Sequence, residues 1–76
     1  MALIQQSQQM ASYAIHPPVL GATILYRGLG DEIGEGTVTQ LRHIETRPGR
    51  PDKWGAFLDT EDGPIFIHDW RYLRTK

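Results

Sequence analysis

The sequence predicts a mostly β domain: a small barrel of about five short antiparallel strands, with one helical turn before the last strand. Three observations point there. From Gly21 onward, β-prone runs alternate with clusters of glycine, proline and aspartate. The stretch from Trp54 to His68 reads as two strands closed around Asp62-Gly63. After His68 the residue pattern changes period over Asp69–Leu73, which suits a single helical turn.

Residues 1–18 stand apart from this pattern. Gln5, Gln6, Gln8 and Gln9 dominate a segment that ends at His16-Pro17-Pro18. Leu3, Met10, Tyr13 and Ala14 fall near helical spacing without a convincing cap, and the prolines stop any helix and extend the chain. The expectation is a flexible or weakly helical tail over 1–18 and a barrel domain over 19–76.

The first strand is Ala22–Arg27, which alternates and is β-prone. Gly28–Gly36 holds four glycines in nine residues and is expected as a long loop, with positive φ cheap at each glycine. Thr37–Ile44 is the second strand. Its apolar residues change parity between Val38 and Leu41, which indicates a bulge or strong bend. Pro48, Gly49 and Pro51 make Glu45–Lys53 a loop. Beyond the hairpin, Asp69 is expected to cap the free N–H groups of the helical turn, and Leu73-Arg74-Thr75 to return as the final strand. This arrangement describes a small SH3-like barrel.

The hairpin register sorts its residues into two faces. A two-residue turn at Asp62-Gly63 pairs Phe57 with His68, and a four-residue turn over Thr60–Gly63 pairs it with Phe66. Either even-length turn puts Ala56, Leu58, Ile65 and Ile67 on one side and Phe57, Phe66 and His68 on the other. The first set belongs in the core with Ile24, Val38 and Trp54. The second set is a surplus apolar face. It is covered either by residues 3–15 folding back or by another molecule, and in so short a chain it points to a symmetric interface. Phe57, Phe66, His68 and Trp70 are therefore the candidate ligand or oligomer surface, with Tyr72 beside Trp70 as a further aromatic.

Composition narrows the chemistry. A chain of 76 residues is one small domain and often leans on oligomerisation for stability. It has no Cys, which excludes disulfides and thiolate zinc sites. The only serines, Ser7 and Ser12, lie in the tail, so nucleophilic catalysis is poorly served. His43, His68 and Asp69 match no metal-ligand spacing, and neither a metal nor a cofactor is expected. The loop at 28–36 lacks a phosphate-binding lysine and carries Asp31, Glu32 and Glu35, which oppose a nucleotide. The net charge of −1 does not suit a dedicated nucleic-acid coat. The N-terminus lacks the basic start and long apolar core of a signal peptide, and no run suits a membrane span. A cytoplasmic protein of bacterial or mobile-element type is expected.

Arg47-Pro48-Gly49-Arg50-Pro51, with Lys53 after it, is the one nucleic-acid signal. It resembles the Arg-Gly-Arg-Pro core of an AT-hook, except that Pro48 precedes the glycine and one copy is present. A polar turn is the alternative reading.

Glu35-Gly36-Thr37-Val38, Trp54-Gly55-Ala56-Phe57 and Ile65-Phe66-Ile67-His68 with Leu73 give the chain from Gly21 onward a layout similar to the plasmid-encoded type II dihydrofolate reductases. The resemblance implies an SH3-like barrel, a tetramer around a central pore and an NADPH-dependent activity. The family's pore segment reads Val-Gln-Ile-Tyr. Here Phe66 stands in place of its glutamine and His68 in place of its tyrosine, while the pore lysine falls near Tyr26 or Arg27. The layout thus implies the barrel and the oligomer more than the reductase chemistry. The expected function is a self-associating binding or accessory module, with a reductase-like enzyme or weak DNA binding through Arg47 and Arg50 as alternatives.

Overall fold

The computed structural model describes residues 13–44 and 47–76. Five antiparallel strands follow one another as β1 (Thr23–Arg27), β2 (Ile33–Ile44), β3 (Lys53–Thr60), β4 (Gly63–His68) and β5 (Tyr72–Thr75), with a 3-10 turn at Asp69–Arg71 before the last. They form one sheet in the order β4-β3-β2-β1-β5. The mostly β class, the strand count and the helical turn match the sequence expectation.

The long strand β2 lets one sheet wrap around a core. Its first half pairs with β1, from Arg27↔Ile33 to Thr23↔Thr37, and its second half with β3, from Thr37↔Asp59 to Ile44↔Lys53. Between Val38 and Gln40 the register shifts by the extra residue Thr39, whose hydroxyl donates to the Phe57 carbonyl at 3.2 Å. This is the bulge that the parity change predicts. Val38 and Leu41 thereby both turn inward although they are three positions apart. Curvature carries β3 towards β5, and the Trp54 and Tyr72 rings meet edge-on at 5.5 Å. Ile24, Val38, Trp54, Ala56, Leu58 and Ile67 are buried in the centre, with Ile65, Leu41, Tyr26 and Tyr72 packed around them.

Two sequence expectations are corrected here. The long glycine loop is a short connection: β2 begins at Ile33, so only residues 28–32 link it to β1. Gly34 and Gly36 lie within the strand: the Tyr26 ring leaves no room for a Cβ at Gly34, and at Gly36 a Cβ would press on Leu58 and Thr60 at 3.0–3.1 Å. The left-handed position in the connection is taken by Asp31, φ 67°, and not by a glycine. The turn is closed by Gly28 N–H donating to the Glu32 carbonyl at 2.7 Å and by the Glu32 carboxylate accepting from Gly30 N–H at 3.0 Å.

The second correction concerns Asp69, which is the first residue of the 3-10 turn: the cap position is His68, and no side chain caps it. The buried Asp69 carboxylate instead accepts from the Trp54 N–H at 3.3 Å. Gly55 pairs with His68, so Trp54 is the next rung of the β3–β4 ladder. There β4 has already turned away, and the side chain replaces the missing carbonyl.

The described part of the tail, residues 13–18, bends at Ala14 and Ile15 and packs on the sheet domain. Tyr13 bridges Asp52 in parallel and its hydroxyl meets His43 Nδ1 at 3.3 Å. Trp54 Nε1 donates to the Ile15 carbonyl, and Pro18 is buried. The helical expectation over Leu3–Ala14 falls outside the described residues except at Tyr13 and Ala14, which are not helical.

Candidate functional site

The β3–β4 turn holds the two strands in a single register. Thr60 pairs with Gly63, and the Thr60 hydroxyl donates to the Gly63 carbonyl at 2.7 Å while accepting from Asp62 N–H at 3.2 Å. Phe57 therefore lies opposite Phe66, and Gly55 opposite His68. This is the pairing of the longer turn. It places Phe57, Phe66 and His68 on the outer face, away from Ala56, Leu58, Ile65 and Ile67.

These side chains form one aromatic cluster. The Phe57 and Phe66 rings lie 4.8 Å apart at 58°, and His68 meets Phe66 edge-on at 5.3 Å. Such tilted and edge contacts align ring quadrupoles favourably. The tip of the Phe66 ring reaches over Gly55, where a Cβ would overlap it. Gly55 is thus the floor that lets Phe66 lie along the sheet rather than stand off it. From β2, Arg42 pairs with Gly55 and places its guanidinium 5.4 Å from the Phe57 ring centre, within cation–π range. Arg42, His43, Ile44, Phe57 and Phe66 border an open hollow of about 450 Å³.

Charge on this face is polarised along the strands. At one end lie Lys53, Arg42 and His68, all exposed; at the other lie exposed Asp59 and the turn residues Glu61 and Asp62. The aromatic rings occupy the middle. The cluster has no paired carboxylates and no nucleophile with a base. Its chemistry is apolar contact, ring stacking and attraction of an anionic group to Arg42.

Of the candidate surface residues, Phe57, Phe66 and His68 come together and Trp70 does not join them. Trp70 sits in the 3-10 turn, 65% exposed, and lines a separate hollow of about 330 Å³ with Ala14, Ile15, Arg50, Pro51 and Lys53 among its walls. Tyr72 is the half-buried partner of that pair, against Trp54. Arg42 was not singled out from the sequence. The parity change at Val38–Leu41 is the signal that places it outward, since each residue beyond a bulge changes face.

Arg47 and Arg50 lie at the two ends of a β-turn with Pro48 and Gly49 between them. Arg50 N–H donates to the Arg47 carbonyl at 3.1 Å, and Gly49 has φ 80°, the position that favours glycine after proline. The closed turn differs from the extended backbone of an AT-hook. Lys53 lies beyond it, at the start of β3. Among the described residues no group of His, Asp and Glu is placed to hold a metal ion, and no helix is long and apolar enough to cross a membrane.

Of the segment 3–15 that could fold back over the aromatic face, only residues 13–15 are among the described residues, and these lie elsewhere. Tyr13 and Ile15 pack against the buried core residues, beside Trp54 and His43, and not over Phe57 or Phe66. Comparison of the chain with protein-family models, with curated proteins and with solved structures gives no match.

Proposed function

We propose that this chain is a self-associating binding module built on a small SH3-like barrel, with the outer face of β2, β3 and β4 as its contact surface. The observation that carries this reading is the Phe57–Phe66–His68 cluster lying over Gly55 with Arg42 above it. Surface apolar residues scattered singly need no explanation, but a packed aromatic cluster on a sheet face marks a contact site. The strand order, with a 3-10 turn before a last strand that returns to the first, supports the SH3-like layout.

Sedimentation equilibrium across a wide concentration range tests the reading. The native chain associates, and Phe66→Ser shifts it to monomer while its far-ultraviolet circular dichroism stays native. A native chain that remains monomeric at high concentration rejects self-association.

The reductase-like alternative uses the same segment of β4. A phenyl ring at Phe66 offers no hydrogen bond to cofactor or substrate, which the family's glutamine supplies, and the binding reading is better supported for that reason. Titration with NADPH, followed by cofactor fluorescence, separates the two: saturable binding that Phe66→Ser abolishes would favour the enzyme.

A further inference from the structure

We infer that the aromatic face is closed by a second copy of this chain, related by a two-fold axis that lies in the interface and runs across β3. The inference rests on the self-associating reading and adds the geometry of the pair. Its basis is the polarised charge on the face. Lys53 begins β3 on the outer side and Asp59 lies on the same side six residues later, with Phe57 between them. At about 3.3 Å per residue the two charges are about 20 Å apart. Arg42 and His68 flank Gly55, towards the Lys53 end, while Glu61 and Asp62 extend the acidic end.

When two identical sheets stack face to face, their two-fold axis lies in the plane between them. An axis parallel to the strands keeps each level in place, so Lys53 meets Lys53 and Asp59 meets Asp59. The basic ends then stack on each other, as do the acidic ends. An axis across the strands inverts the levels. Lys53 of each copy then faces Asp59 of the other, and the pair is formed twice. The same operation sets Phe57 above the Gly55 row of the other copy and brings the Phe66 and His68 rings together. The face is self-complementary in this second orientation alone, in charge and in the order of its rings.

A charge exchange tests the orientation. Lys53→Glu and Asp59→Lys are both at exposed strand positions, and circular dichroism checks that each variant keeps its fold. In analytical ultracentrifugation each variant alone should weaken self-association at least about ten-fold, because it places like charges opposite one another. Mixing the two variants should restore association to within about three-fold of the native chain, as a hetero-pair. The double variant K53E/D59K should associate with itself equally well. Raising the salt should weaken the native pair and relieve each single variant. If Phe66→Ser dissociates the native chain but the charge variants and their mixture behave like it, the face is right and this orientation is wrong. If the native chain is monomeric throughout, the self-associating reading itself fails and the orientation falls with it.

Discussion

Gly55 and Phe66 are a sterically coupled pair, the ring occupying the space a Cβ at Gly55 would take. Gly55 is buried within β3 at a position where strand propensity would favour a β-branched residue. Its lack of a side chain is what lets the Phe66 ring lie down beside Phe57, with His68 at its edge. A methyl group at this position has to displace the ring, a form of overpacking that typically costs about 1–3 kcal/mol. Gly55→Ala should therefore lower stability by about that amount in urea unfolding. Most of the cost should vanish when Phe66 is already Ala, because the overlapping atoms are gone. A double-mutant cycle measures this directly, and additive effects would show that the ring does not lie over Gly55. The sequence shows a glycine flanked by strand formers here. It does not show that a phenylalanine eleven positions away is the reason.

Each end of the β3–β4 hairpin is fixed by one side chain standing in for backbone. Thr60 ties the turn through its hydroxyl, and Asp69 supplies the acceptor that β4 no longer offers to Trp54 N–H. Asp69→Ala leaves that buried donor without an acceptor, which typically costs about 1–3 kcal/mol. Asp69→Asn keeps a carbonyl oxygen in place and should recover most of the loss. Thermal or urea denaturation of both variants checks this, and equal destabilisation by the two would refute the acceptor role. The hairpin faces were legible beforehand because side chains alternate strictly along a strand. The role of Asp69 was not. An aspartate before a helical turn is an ordinary N-cap by local rules, and only the neighbouring strand provides the competing donor.

The tail and the barrel meet through Trp54 at the scale of the whole molecule. The indole N–H donates to the Ile15 carbonyl, Tyr13 bridges Asp52, and Ile15 packs beside the core. Removing residues 1–15 takes away this acceptor and the apolar cover together. Stability should fall by about 2–4 kcal/mol from lost burial and the unpaired donor. In a Trp70→Phe background, Trp54 fluorescence should shift to the red in the folded truncated chain, as water reaches the indole. An unshifted spectrum would place the tail elsewhere.

Alternation, turn residues and the parity break at Val38–Leu41 determined the number of strands, the bulge and the two faces of the hairpin, but not where β2 begins. These are local properties, written in the spacing of side chains along one segment. Tertiary structure decided which surface the described tail covers, why Gly34, Gly36 and Gly55 lack side chains, and that Arg42 stands over Phe57. Each depends on groups far apart in sequence that meet only when the sheet curves around its core. The outer aromatic cluster belongs to both accounts. Alternation set its phenylalanines on one side, and the folded sheet brought Arg42, Lys53 and Asp59 around them. A period-two pattern fixes the direction of a side chain, whereas its neighbours across the sheet are fixed by register, bulge and twist.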